Sequence, residues 1–210
     1  GPSLDGRPVR EDSACHPVSH YGVSKMLAEQ EVLRRRESLP VAIIRPSGVY
    51  GPRDQDLFQY FMLIKKKIQP LIGFKRKRLN MTYVDDVVEA LILAGTHPRA
   101  EGEGFFIGSE QACGVEEIGE TIASCMHCRP VRVYVPHIAA YTIGAAAEGL
   151  GKIRKKQVFF NLQKARESVQ TTWDISVEKA NSMLGFRARV PFAEGIKRTC
   201  AWYTEQGWLQ

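Results

Sequence analysis

The chain has 210 residues, of which 44% are hydrophobic and 25% are charged, and its net charge is +6. This balance excludes a disordered chain, and the length suits one large domain or one and a half small ones. No apolar run is long enough to span a membrane. The positive charge is local, in clusters at residues 65–67, 75–78 and 152–156.

These basic clusters are most typical of a solvated face. Phosphate-bearing ligands and an anionic membrane surface are alternatives that the charge leaves open, with the membrane surface less favoured. No recognised nucleic-acid motif accompanies the clusters, so we predict no nucleic-acid partner.

The five cysteines are odd in number and scattered, which is typical of reduced thiols in a cytoplasmic protein. Cys125 and Cys128 form a lone C-x-x-C pair. A structural zinc site needs a second pair of ligands at close spacing, and the sequence has none. We therefore predict no metal, and we interpret the pair as the end of a helix that enters a loop.

The first predicted elements are a loop over residues 1–20, a helix over 21–36 and a strand over 41–44. The strand is a continuous apolar run, which suits burial on both faces of a parallel sheet. A helix followed by such a strand is half of a βαβ unit, so the fold class is α/β.

Further along the chain, Asp85 and Asp86 occupy positions that favour helix N-caps, ahead of a helix over 87–94. Ser176 is a plausible N-cap for a helix that runs to residue 184 and is stopped by Gly185. The other predicted elements are a turn-rich loop (48–53), helices (56–68, 115–125, a packed helix over 136–150, and a last helix from 191), strands (81–84, 105–107, 131–135) and a basic hairpin or loop (74–80).

The strongest chemical signal is Tyr21 with Lys25 at the start of the first predicted helix. A spacing of four places both side chains on one helix face. An ammonium beside a phenol stabilises the phenolate, and the positive end of the helix dipole acts in the same direction. Such a phenol can exchange a proton with an alcohol or a ketone.

Four segments, in this order, resemble the extended short-chain dehydrogenases/reductases. The resemblance is closest to the NAD-dependent epimerase/dehydratase and 3β-hydroxysteroid dehydrogenase-like group. The segments are YGVSKMLAEQ from residue 21, VAIIRPSGVYGPRD from residue 41, YVDDVVEA from residue 83, and the pattern over 174–203. Together they cover nearly the whole chain.

The resemblance implies an NAD(P)-dependent oxidoreductase or epimerase/dehydratase that transfers a hydride at a secondary alcohol or ketone. Tyr21 would be the general acid/base, and Lys25 would assist it and bind the nicotinamide ribose. Cofactor contacts would come from Tyr21, Lys25, Pro46, Ser47 and Val49, and substrate contacts from Ser47 and Arg53. The substrate and the choice between NAD and NADP are not readable from these residues.

The departures from the family pattern concern its amino-terminal half. The 210 residues contain no G-x-x-G-x-x-G turn to hold a pyrophosphate, and Ser3 is a poor substitute for the family's catalytic serine or threonine. We therefore interpret the chain as the carboxyl-terminal portion of such an enzyme. It would be a fragment or a natural short relative, inactive alone, that pairs as a homodimer or with a complementing amino-terminal chain.

The predicted architecture is an incomplete Rossmann-like parallel sheet plus a smaller mixed α/β lobe. Residues 1–56 and 81–100 would be the remnant of the nucleotide-binding domain, and 57–80 and 101–210 the lobe that binds a small-molecule substrate. A non-catalytic binding or scaffold protein is an alternative function. A remote alternative is a Ser-Lys hydrolase, because Ser176 and Lys179 spell S-x-x-K.

Overall fold

The computed structural model describes residues 1–155 and 158–209. Its helices are α1 (His20–Leu33), α2 (Gln55–Lys65), α3 (Val84–Thr96), α4 (Val115–Cys125), α5 (His137–Arg154), α6 (Leu162–Ser168), α7 (Glu178–Leu184) and α8 (Phe192–Glu205), with a 3₁₀ turn at Pro98–Ala100. Its strands are β1 (Ile43–Pro46), β2 (Gly48–Tyr50), β3 (Ile68–Ile72), β4 (Arg78–Leu79), β5 (Met81–Tyr83), β6 (Gly104–Ile107), β7 (Cys113–Gly114), β8 (Val131–Val135) and β9 (Thr172–Trp173).

Parallel pairing dominates the sheets. β1 pairs with β6, β2 with β5, and β3 with β8, all parallel. β4 lies between β9, which is parallel to it, and β7, which is antiparallel. Parallel strands need crossover connections, and helices supply them here, so the predicted α/β class is confirmed.

The chain changes sheet between β1 and β2. Pro46 at the end of β1 is in register with Ile107 on β6, whereas Gly48 at the start of β2 is in register with Met81 on β5. Ser47, between them, donates its backbone N–H to the Ile107 carbonyl at 2.8 Å. The two partner strands therefore diverge at Ser47.

Two apolar clusters hold these strands. The larger one lies where α2, α4 and α8 meet, and Tyr203 on α8 packs edge-on against Phe61 of α2, with ring centroids 5.2 Å apart. The smaller one joins α3, β6 and α7 around Phe105 and Phe186. Within residues 1–155 and 158–209, the larger cluster contains Tyr50 of β2 and the smaller one contains Phe105 and Ile107 of β6. The two clusters therefore hold the strands on either side of Ser47.

The predicted strand at 41–44 is shifted and less buried than expected. β1 spans Ile43–Pro46, and none of its residues is fully buried. Ile44 packs against the smaller cluster on one face. The other face meets α1, which has no buried residue, so the expectation of burial on both faces was wrong. The predicted loop at 48–53 likewise contains strand β2, because residues 48–50 find a partner in β5.

The capping prediction for Asp85 and Asp86 was wrong. α3 begins at Val84, with Tyr83 as its N-cap, so both aspartates lie inside the first turn. Asp86 is buried and accepts hydrogen bonds from the backbone N–H groups of Arg189 (2.9 Å) and Val190 (3.2 Å). The Asp86 carboxylate therefore binds a distant segment of the chain, whereas the local sequence predicted that it would cap the helix.

Other boundaries agree closely. α4 and β8 have the predicted bounds, Cys125 ends α4 as expected, and Gly185 ends α7 with φ 68°. The N-cap prediction for Ser176 was wrong by one residue: α7 begins at Glu178 with Val177 as its N-cap, although the Ser176 hydroxyl accepts from the Glu178 N–H at 3.4 Å. The segment predicted as a packed helix is α5, but much of its apolar surface is exposed.

Candidate active site

Tyr21 and Lys25 meet at the exposed start of α1. Ser19 caps the helix by accepting a hydrogen bond from the Gly22 N–H at 3.1 Å. The Lys25 Nζ lies 5.4 Å from the centroid of the Tyr21 ring. Tyr21 is 68% exposed, so its hydroxyl is accessible to a ligand. The structure thus brings together the two residues that the sequence predicted to be catalytic.

An ion pair fastens α1 to β1. Glu29 lies one turn beyond Lys25 on the same helix face, and it accepts from the Arg45 Nε at 2.9 Å and from the Arg45 Nη2. The hydrogen bond to Glu29 raises the pKa of Arg45 above its ordinary value. Arg45 immediately precedes Pro46, so this half-buried pair sets the orientation of the Tyr21–Lys25 face relative to the end of β1.

Three of the predicted cofactor residues, Pro46, Ser47 and Val49, lie at the point where the chain changes sheet. Pro46 and Val49 are exposed, with 41% of Val49 accessible. The Ser47 hydroxyl lies 2.6 Å from the hydroxyl of Thr82 on β5, which is fully buried. Sequence reasoning missed Thr82; its only signal was a threonine in the strand that follows the basic segment 74–80.

Arg53, the predicted substrate residue, lies in a strained turn. Asp54 donates its N–H to the Gly51 carbonyl at 3.2 Å, and Arg53 at the third position has φ 69°. A side chain in this left-handed region is unfavourable by roughly 1–2 kcal/mol relative to glycine. The guanidinium is exposed, and within residues 1–155 and 158–209 it forms no ion pair. The next residue, Asp54, caps α2, and burial raises the pKa of its carboxyl group.

Helix α6 bridges the two sides of this site. Gln163 accepts a hydrogen bond from the His20 backbone N–H at the start of α1, at 3.0 Å. The adjacent Lys164 pairs with Asp56 at the start of α2, at 2.6 Å. The amino ends of α1 and α2 therefore flank α6. Neither Gln163 nor Lys164 carried a recognisable signal in the sequence.

Two buried polar residues hold the opposite end of α6 and the neighbouring loop. Lys77 donates to the Ser168 carbonyl at the end of α6, and burial lowers the pKa of Lys77 to about 8. Asn80 donates to the Ser109 carbonyl at 2.9 Å and to the Asp174 carboxylate at 3.2 Å. These contacts fix the strands that follow the basic segment.

The S-x-x-K pair has structural partners. Lys179 forms an ion pair with Glu103 at 2.7 Å, and its ammonium lies 5.2 Å from the centroid of the Phe105 ring. Within the described parts of the chain, no hydrogen bond joins Ser176 to Lys179. The arrangement does not favour a serine nucleophile with a lysine base. In the same parts of the chain, no group of three or more His, Cys, Asp or Glu residues could hold a metal ion.

The sequence pattern of the NAD dependent epimerase/dehydratase family matches residues 1–108, which include Tyr21, Lys25 and the turn at Arg53. The chain belongs to this family. The resemblance drawn from the four segments is thereby confirmed.

Two curated relatives illustrate the range of the NAD dependent epimerase/dehydratase family. The chain is 29% identical over 191 residues to the sterol-4-alpha-carboxylate 3-dehydrogenase erg26, decarboxylating, of Schizosaccharomyces pombe. The alignment covers 87% of this chain and 56% of that protein. It is 26% identical over 200 residues to the ceramide reductase of Caulobacter vibrioides, in an alignment that covers 91% of this chain and 59% of that protein. The chain thus spans somewhat more than half the length of these relatives.

A solved structure with the same fold supports the architecture. The UDP-glucuronic acid 4-epimerase of Bacillus cereus, in complex with NAD, superposes with a TM-score of 0.74 at 16% identity. The alignment covers 96% of this chain and 57% of that protein. The Rossmann-like α/β architecture expected from the sequence is therefore confirmed, whereas the division at residues 56, 80 and 100 stays a prediction.

Proposed function

We propose that the chain carries the proton-transfer and substrate-binding part of an NAD(P)-dependent oxidoreductase or epimerase/dehydratase. The observation that carries the proposal is the exposed Tyr21 phenol with the Lys25 ammonium over its ring, at the capped amino end of a helix pinned to β1. Tyr21 takes the proton of a secondary alcohol as its hydride departs, and returns a proton in the reverse direction. Lys25 stabilises the phenolate that forms.

The residues fit the nicotinamide end of the cofactor. When bound, the nicotinamide supplies or accepts the hydride. Lys25 is exposed and has donors available for ribose hydroxyls, and Pro46 and Val49 present accessible apolar surface at the end of β1. Ser47, whose hydroxyl is held by the buried Thr82, and Arg53 would bind the substrate's polar groups. The chain's own sequence contains no glycine-rich turn for the pyrophosphate, so we expect firm cofactor binding to need a second polypeptide segment.

A cofactor titration tests this proposal. The chain alone, and the chain fused behind the part of the S. pombe relative that it does not cover, are titrated with NADH and NADPH by calorimetry. We expect the fusion to bind one of them at micromolar concentration, and Lys25→Met to weaken that binding about tenfold because a charge-assisted hydrogen bond is lost. Lys152→Met, an exposed lysine on α5, serves as the control. The assignment would be rejected if the folded fusion bound neither nucleotide, or if the Lys25→Met variant bound the cofactor as tightly as the unchanged fusion.

Arg53→Gly separates a ligand-binding role from a structural one. We expect this change to raise the free energy of unfolding by about 1 kcal/mol, because glycine accepts φ 69° without strain. Substrate KM in the fusion should rise about tenfold, because the guanidinium no longer meets the substrate's acceptors. Urea unfolding and steady-state kinetics measure the two effects.

The matched control for Arg53→Gly is Lys67→Gly. Lys67 is another exposed basic residue in the left-handed region, with φ 62°. This variant should be stabilised by a similar amount while its KM stays unchanged. Equal kinetic behaviour of the two variants would show that Arg53 binds no substrate.

A further inference from the structure

Helix α5 has an exposed face that is largely apolar, with Thr142 as its one polar side chain. Ile138, Ile143, Leu150 and Ile153 are all exposed, with 79% of Ile138 and 80% of Ile153 accessible. At 100° per residue these four side chains fall within an arc of about 140°. They are called the α5 face below.

The opposite side of the helix is the one that packs on the protein. Ala140, Gly144 and Gly151 are buried there. At Gly144 the helix lies so close to α6 that a Cβ would come within 2.9 Å of the Asn161 carbonyl oxygen. The packing of α5 is thus complete on one side, and the α5 face is directed away from the body.

Positive charge stands at both ends of the α5 face. Lys152, Arg154 and Lys155 are exposed at the carboxyl end, and the one acid on the helix, Glu148, is paired with Lys152 at 2.9 Å. Near the amino end, Lys75 is exposed next to Phe74.

Aromatic rings extend the apolar surface at the amino end of α5. Phe74, 75% exposed, stacks on Tyr134 of β8, with ring centroids 5.9 Å apart. Gly73 places this pair against the start of the helix, because a Cβ there would come within 2.4 Å of the His137 ring. Aromatic rings beside an apolar helix face are typical of the boundary between water and acyl chains.

We propose that the α5 face docks on the surface of an anionic membrane. α5 has 18 residues and includes Glu148, Lys152 and Arg154, and within residues 1–155 and 158–209 no helix is long and apolar enough to cross a bilayer. The helix therefore lies in the interface, with its isoleucines among the acyl chains and its lysines and arginine at anionic head groups. A second copy of the chain fits this surface poorly, because both ends of the α5 face are basic and would repel their counterparts.

Vesicle flotation tests the proposal. The chain is mixed with vesicles of phosphatidylcholine alone and with vesicles of three parts phosphatidylcholine to one part phosphatidylglycerol. We expect binding to the anionic vesicles that weakens with added salt, and much weaker binding to the neutral ones. The double variant Ile138→Glu/Ile153→Glu should lose at least about tenfold in affinity. Replacing Lys152 and Lys155 by Gln should weaken anionic binding by about fivefold for each charge removed.

Ile92→Glu is the matched control, since Ile92 on α3 is also an isoleucine with most of its surface exposed. It should bind vesicles as the unchanged chain does. Absence of binding to anionic vesicles, equal binding to neutral ones, or unchanged binding of the double variant would each overturn the proposal. Light scattering measures the oligomeric state of each variant. If the unchanged chain is a dimer and only the double variant is a monomer, the α5 face is a contact between copies, and the membrane proposal is overturned.

Discussion

Replacing Tyr21 by Phe in the fusion protein is expected to lower kcat about a thousandfold, while KM changes by less than about threefold. The phenolic oxygen is the only atom removed, and it is the atom proposed to carry the proton. Tyr21 is 68% exposed and sits at a helix start held by the Ser19 cap, so the change should leave folding intact. The measurement is the change in NADH absorbance with sterol, ceramide-type and UDP-sugar substrates.

The matched control is Tyr134→Phe, which removes a hydroxyl from a half-exposed tyrosine on β8. Its kcat should equal that of the unchanged protein. The competing scaffold function predicts the opposite pattern, in which Tyr21→Phe leaves the biological activity intact. A Tyr21→Phe variant with undiminished turnover would remove proton transfer from this residue and leave the family fold without its proposed chemistry.

The parts of the site that sequence could predict are those set by local geometry. Tyr21 and Lys25 lie four residues apart, and the helical repeat alone puts them on one face. Ser19 directly precedes a helical pattern, and its hydroxyl caps the helix as such residues do. Gly185 ends α7 because glycine reaches φ 68° without a steric penalty.

The parts that sequence could not predict depend on contacts between distant residues. Gln163 meets the backbone of His20, 143 residues away, and nothing near either residue in the chain indicates the pairing. Ser47 and Thr82 face each other only because the chain leaves β6 for β5 at that point. Local propensity contains no information on which distant strand a segment will pair with. For that reason the sequence predicted a loop where β2 forms.

Asp86 shows the same competition between local and distant contacts, and it carries the largest expected effect on stability. Asp86→Ala should lower the free energy of unfolding by about 2–4 kcal/mol, because two backbone N–H groups, at Arg189 and Val190, would lose a charged acceptor. These residues lead into α8, which places Tyr203 in the larger apolar cluster. Asp86→Asn keeps one acceptor and should cost about half as much.

Asp85→Ala is the control that separates this tertiary role from helix capping. Asp85 is exposed in the same first turn, so its loss removes only an interaction with the helix dipole, about 0.3–1 kcal/mol. Urea unfolding measures all three variants, with the slope of the transition checked for constancy. Similar losses for Asp85→Ala and Asp86→Ala would mean that both carboxylates act on the helix end alone, and that the contact with residues 189–190 contributes nothing to stability. If only the Asp86 variants lose stability, the contact of Asp86 with residues 189–190 holds the first turn of α3 against the start of α8. That contact then also connects β5, which carries Thr82, to the larger apolar cluster.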